Sequence, residues 1–176
     1  GDSLVITGAG EIVVKAIQEG NSNYEPASAE QTIVVAKANQ TIVIDLIPSQ
    51  TFGNPPILLG ATSSSHLPVT FTVVSGPGTI KGDSLLITGA GEIVVKAVQD
   101  GNSNHTSATD EQTIIVNKAL QTLVFDSIPS QSYSQGPVIL AGISSSGLPV
   151  VYTVVSGPAT VTGNSLLMTG TGTVVV

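Results

Sequence analysis

Shifting the sequence by 81 residues lays it on itself without a gap, Gly1 on Gly82 and Gly82 on Gly163. GDSLVITGAGEIVVKAIQEGNSN becomes GDSLLITGAGEIVVKAVQDGNSN, and LPVTFTVVSGPGTIKGDSLLITG becomes LPVVYTVVSGPATVTGNSLLMTG. A fixed period sets the folding unit before any single residue is considered, because each copy must bury its own apolar face or share it with a neighbour. The chain holds two full periods and fourteen further residues. A unit of 81 residues is large enough to fold alone, burying roughly 60 to 65% of its unfolded surface.

Within one period the chain reads as short apolar runs separated by turn residues. The expected strands are TIVIDLI (41 to 47), PILLGAT (56 to 62), PVTFTVVS (68 to 75), GTIK (78 to 81), SLLIT (84 to 88), EIVVKAV (92 to 98) and QTIIVNK (112 to 118). About seven strands per repeat, spaced by turn signals, predict an all-β chain of tandem β-sandwiches. Composition points the same way: 41% of the residues are hydrophobic but only 3% aromatic and 10% charged, and the apolar share is mostly Val, Ile, Leu and Ala. Branching at Cβ suits a pleated surface and restricts rotamers in a helix.

Alternation assigns the faces. Val69, Phe71 and Val73 point inward and Thr70, Thr72 and Val74 outward; Ile93, Val95 and Ala97 point inward and Glu92, Val94 and Lys96 outward. Val74 and Val94 sit poorly with this assignment. Gly82-Asp83 and Gly163-Asn164 read as two-residue hairpin loops in which Gly supplies a positive φ, and Gly1-Asp2 matches the same turn.

The phase of the repeat predicts three segments. Residues 38–118 form a complete copy, 1–37 the C-terminal part of a preceding copy, and 119–176 the N-terminal part of a following one. Partial copies expose apolar faces and unpaired edges, so a longer array of repeats is expected around them. An unpaired edge is also available to another copy of the chain.

Charge and reactive residues narrow the function. Twelve acidic residues face five lysines and no arginine, for a net charge of -7; without guanidinium forks, an acidic chain repels a nucleic-acid backbone. No cysteine is present, which excludes disulfides, thiolate metal sites and cysteine nucleophiles. No apolar run reaches the roughly 18 residues of a membrane span, and no signal-peptide pattern opens the chain.

Gly8-Ala9-Gly10 after an apolar strand resembles half of a dinucleotide fingerprint. Val13 stands at the third glycine position, the following EIVVKA is β-branched, and no βαβ context supplies the acidic partner. The expected structure is a strand, a glycine bend and a second strand. His66 and His105 do not recur, being replaced by Gly147 and Tyr24 in the other copies, so a catalytic triad or metal site on them lacks partners.

EGNSNYEP (19 to 26) and DGNSNHTSATDE (100 to 111) offer clustered oxygen ligands for calcium, set against an Asx-rich turn. Lys37 and Lys118 are candidates for a Lys–Asn isopeptide bond, set against exposed lysines at strand ends. Asn39 and Asn104 lie in N-glycosylation sequons. Ser3, Ser84 and Ser127 follow Asp and precede an apolar residue, which resembles the O-glycosylation signal of exported Bacteroidota proteins; Asn164-Ser165-Leu166 departs from it.

SSSGLPVVYTVVSGPATVTGNSLLMTGTGTVVV (144 to 176), VKAVQDGNSN (95 to 104) and QTIIVNKALQTLVFDSIPSQSYS (112 to 134) resemble tandem bacterial immunoglobulin-like repeats. Such repeats build very large cell-surface proteins, particularly in Bacteroidota, including giant gliding-motility adhesins of the SprB type. His66, where the pattern has Gly, is the main departure. The resemblance implies immunoglobulin-like sandwiches in series, an extracellular location at the bacterial surface, and no catalytic residues or cofactor.

The expected role is a semi-rigid stalk segment of an adhesin or filament, with linkers at Lys37-Ala38-Asn39 and Lys118-Ala119-Leu120 setting the angle between modules. Its expected partners are neighbouring repeats, other copies in a filament, and surface glycans or proteins bound by regions outside this chain. Two alternatives remain: a glycan- or protein-binding module, for which Tyr24, Phe52 and Tyr133 are the loop aromatics, and a spacer attached to an extracellular enzyme.

Overall fold

A computed structural model describes residues 3–176. The expected turn at Gly1-Asp2 lies outside the described residues. The chain is all-β, with strands and no helix among the described residues, and it divides into two compact units, Gly1–Ala119 and Leu120–Val176. Among the described residues no helix is long and apolar enough to cross a membrane.

The first unit opens with a hairpin of β1 (Gly10–Gln18) and β2 (Ala27–Val35), antiparallel from Gly10↔Val35 to Gln18↔Ala27. The complete copy follows as β3 (Ile42–Ile44), β4 (Gln50–Thr51), β5 (Ile57–Leu58), β6 (Ala61–Ser63), β7 (Thr70–Ser75), β8 (Gly78–Lys81), β9 (Ser84–Ile87), β10 (Gly91–Gln99) and β11 (Ala108–Asn117). Nine segments stand where seven were expected, for two reasons. Gln50–Thr51 adds a short parallel partner to the end of β11, and the run 56–62 divides between two partners.

That division has a simple geometry. β5 pairs with β9, and Leu59 continues the ladder by donating its N–H to the Asp83 carbonyl at 2.8 Å. β6 pairs with β3, where Asp45 donates to the Gly60 carbonyl at 2.9 Å. One extended stretch is thus satisfied on one side over its first half and on the other side over its second.

β4, β11, β10 and β7 make a four-stranded sheet in that order, and β5, β9 and β8 a three-stranded one. The alternating side chains of the two sheets meet in one core. Phe71, Val73, Ile93, Val95, Ile114 and Val116 come from the first, and Ile57, Ile80, Leu85 and Ile87 from the second. Ile93, Val95 and Ala97 are fully buried, while Thr70, Thr72 and Val74 are exposed, as the alternation predicts. Val94 is half-buried because β10 is an inner strand flanked by β11 and β7.

Lys81↔Ser84 closes a two-residue loop with Gly82 at φ +61°, the geometry expected of Gly82-Asp83. Gly76 is constrained differently. At φ +95°, its missing Cβ would lie 2.0 Å from the Glu92 carbonyl oxygen, so the backbone approaches the start of β10 more closely than any side chain permits. Gly89-Ala90-Gly91 carries the chain from β9 in one sheet to β10 in the other, so the glycine motif is a bend between sheets.

The second unit repeats the first half of this plan at the same 81-residue offset: β12 (Leu123–Phe125), β13 (Val138–Ile139), β14 (Gly142–Ser144), β15 (Ala159–Thr162) and β16 (Ser165–Met168). β12 pairs with β14, β13 with β16, and β15 with β16, in the registers of their counterparts. Residues 151–156, which match β7 at the repeat offset, lie outside any named strand. Only Ser156↔Val175 is paired there, in the register of Ser75↔Val94 in the complete copy.

Candidate functional site

The most elaborate polar structure in the chain is at the end of the complete copy where the polypeptide enters. The turn after β10 is built locally. Gly101 takes φ +81°, and the Asn102 side-chain oxygen accepts the N–H groups of Asn104 and His105, both at 2.8 Å. The leading hairpin makes the same turn with Gly20 and Asn21, whose oxygen accepts from Asn23 at 2.8 Å and Tyr24 at 3.1 Å. Two copies in different surroundings adopt one geometry, which marks it as an Asx turn dictated by the sequence.

In the complete copy this turn grips the entering chain. Ala38 donates its N–H to the Asn104 carbonyl at 2.8 Å, and its own carbonyl accepts from Thr106 at 3.0 Å. The Asn104 side-chain oxygen accepts the N–H of Ala9 at 3.0 Å. The joint therefore ties the linker to the complete copy through backbone groups, and the residue before the leading hairpin to it through the Asn104 side chain.

Beneath the joint lies a buried amide cluster of Gln40, Gln99 and Ser63. The Gln40 side-chain nitrogen donates to the Gln99 side-chain oxygen and to the Thr106 carbonyl, both at 2.5 Å, while Ser65 donates to the Gln40 oxygen. Gln99 also accepts the Gly101 N–H at 2.6 Å, and Ser63 donates to the Leu67 carbonyl at 2.9 Å. Among the described residues no buried side-chain polar atom lacks a partner. Leaving one such group unsatisfied costs about 1–3 kcal/mol, so the cluster fixes the loops around it. It contains only amides and hydroxyls, with no acid, base or activated nucleophile.

The other candidate residues do not converge. His66 and Gly147 hold equivalent left-handed positions at φ +59° and +72°, with N–H groups bonded to the Ser63 and Ser144 carbonyls; the loop keeps its form despite the histidine. His105 has Asn102 as its ring neighbour at 3.3 Å and belongs to the turn. Lys37 and Lys118 are exposed, so neither meets the burial that isopeptide chemistry needs.

Two of the three carboxylates of the 100–111 stretch are engaged with other partners. Asp110 accepts from the N–H groups of Ile44 and Glu111, and Glu111 pairs with Lys96 at 3.3 Å. No group of three potential ligands is close enough for a metal among the described residues. Asn39 accepts from the Thr106 hydroxyl at 3.3 Å, whereas Asn104 is occupied by the joint.

Ser3 and Ser127 are exposed and Ser84 is half-buried at the start of β9. Tyr24 lies in the turn of the hairpin, while Phe52 lies beside the far end of β11, its N–H bonded to the Asn117 carbonyl. Tyr133, the counterpart of Phe52, lines a cleft of about 420 Å³ in the second unit with Ile128, Leu166, Met168, Val174 and Val176. The joint was missed by sequence reasoning because Ala9 and Asn104 are 95 residues apart and carry no shared local signal.

No protein-family model, curated protein or solved structure matches the chain.

Proposed function

We propose that the chain is a non-catalytic structural segment of a long extracellular bacterial surface adhesin or filament. Its modules are immunoglobulin-like sandwiches in series, acting as a semi-rigid stalk in adhesion or gliding. The strand order supports the immunoglobulin-like part. β8, β9 and β5 pair in that order, β6 continues β5 along the chain and pairs with β3, and β7, β10, β11 and β4 form the other sheet. An immunoglobulin-like sandwich arranges its two sheets in a comparable order, which is what supports the reading.

The observation that carries the reading is where the chain enters and leaves residues 38–118. It enters at Ala38, bridged to His105 just before β11, and leaves after Asn117 at the other end of β11, about 33 Å further on at strand spacing. Tension applied through the neighbouring segments therefore runs along the strands. β4 and β11 are parallel and would be drawn in opposite directions, so their bonds are loaded together in shear rather than one at a time. A three-residue linker pinned by Ala38 adds little slack.

An antibody against residues 38–118, applied to intact cells of the producing organism and seen by immunogold electron microscopy, is expected to decorate filaments outside the cell. Label confined to the cell interior overturns the reading.

A further inference from the structure

Two anchors hold the leading hairpin to residues 38–118, and one of them is a single side chain. The covalent anchor runs from Val35 at the end of β2 to Ala38, whose N–H and carbonyl are bonded to Asn104 and Thr106, so only Ala36 and Lys37 lie between. The second is the Asn104 side-chain oxygen, which accepts the Ala9 N–H at 3.0 Å. Gly10↔Val35 is the closing pair of the hairpin, so Ala9 and Ala36 stand side by side at its end, roughly 5 Å apart at strand spacing. A lone tether leaves both bending and twisting open. A second anchor on the neighbouring strand removes the twist.

We propose that Asn104 fixes the orientation of its repeat on the preceding one, acting as a torsional lock with the Gly8-Ala9 bend. Three observations assign this role. The turn that carries Asn104 does not need its side chain: Asn102 accepts the N–H groups of Asn104 and His105, and Asn21 closes the equivalent turn of the hairpin in the same way. Nor does the Ala9 bond belong to the internal structure of a repeat. Ala90, in the same place in the complete copy, is exposed, and its N–H makes no hydrogen bond among the described residues. Finally, Gly8 leaves room for the lock. A Cβ there would lie 2.9 Å from the Asn104 side-chain oxygen, closer than real side chains approach, and no positive φ otherwise accounts for the glycine.

The lock is seated on a stiff base. The Asn104 carbonyl holds Ala38, and Gln40, two residues further along the entering chain, donates to Gln99 and to the Thr106 carbonyl in the buried amide cluster. Turn and linker therefore move as one body, and a twist of the hairpin must break the Ala9 bond. One such bond shifts an equilibrium about two- to tenfold, which sets the locked orientation against the swivelling ones. Gly8-Ala9-Gly10, which resembles half of a dinucleotide fingerprint, thus receives a side chain of the next repeat instead of a pyrophosphate. The proposal deepens the stalk reading and rests on it for its purpose, since a lock at the joint stiffens a rod against torsion. The contact itself is measurable wherever the protein resides.

The test is residual dipolar couplings of the backbone amides of the isotope-labelled full chain in a weakly aligning medium. Residues 10–35 and 38–118 are expected to fit one alignment tensor. In Asn104→Ala and in Gly8→Ala two tensors are expected, the hairpin's smaller by about a third or more, as on passing from rigid to flexible order. Couplings within each segment still fit that segment, which separates a loosened joint from an unfolded one. Gly8 and Asn104 lie in different segments, so one variant decides the matter if the other loses its fold. Asn104→Asp keeps an acceptor oxygen in the same position and is expected to retain the single tensor. Two tensors in the parent chain, or a single tensor in either Ala variant, overturns the proposal. So does Asn104→Asp behaving as Asn104→Ala, because the Ala9 bond would then not be what holds the hairpin. None of these results touches the stalk reading, which the immunogold label decides.

Discussion

Leu4 and Leu85 sit in almost the same sequence, DSLVITG and DSLLITG, yet truncating them has different expected costs. Leu85 is fully buried between the two sheets of the complete copy, against Ile93 and Ile114, while Leu4 is 52% exposed. Leu85→Ala removes the buried branch and leaves a cavity that rigid strands cannot close, costing about 3–5 kcal/mol. A unit of 81 residues has a total stability of about 4–12 kcal/mol, so this is a large share of it. Leu4→Ala removes a half-solvated side chain and costs under about 1 kcal/mol. Urea unfolding followed by circular dichroism at low micromolar concentration separates the two. With an m-value near ~1 kcal/mol/M, Leu85→Ala lowers the main midpoint by more than about 2 M, and Leu4→Ala leaves it nearly in place. Equal shifts would refute the reasoning, because they would mean that the same sequence is buried in both copies.

Three further substitutions probe the backbone and the joint. His66 holds a left-handed conformation that costs a non-glycine residue about 1 kcal/mol, so His66→Gly is expected to raise the melting temperature by several degrees. Gly76→Ala places a Cβ 2.0 Å from the Glu92 carbonyl at φ +95° and should cost more than about 3 kcal/mol, whereas Gly82→Ala, with open space around it, should cost about 1 kcal/mol; thermal melts rank the pair. Asn104→Ala removes the acceptor of the Ala9 N–H, and hydrogen exchange is expected to speed up at Ala9 while the amide of Val95, within the β10 ladder, keeps its protection.

Period-two alternation and glycine turns made much of this fold legible. GTIK and SLLI flank Gly82-Asp83 as expected, and the inward faces of β7 and β10 follow directly from their sequences. What escaped was decided by distant partners. Gln50–Thr51 has no apolar pattern and is a strand only because the end of β11 lies beside it. β11 begins at Ala108 rather than near Gln112, since polar TDE is held by pairing with β10. PVVYTVVS carries the same pattern as PVTFTVVS but forms no ladder beyond Ser156, because alternation specifies a face and not a partner. At the candidate site the Asx turns were readable from Gly-Asn spacing, whereas the Gln40–Gln99 pairing, 59 residues apart, was not.

The proposed stalk role requires residues 38–118 to bear tension, which their connections direct along the strands as shear. Single-molecule force spectroscopy on the chain tethered at its two ends addresses this directly. Releasing 81 residues at roughly 0.36 nm each, less a folded length of about 4 nm, predicts one abrupt extension of about 25 nm for the complete copy. This event should require the highest force in the trace, with the hairpin and the trailing unit yielding earlier. Gradual lengthening without such an event, or an event much shorter than about 25 nm, would contradict the repeat as the mechanical unit.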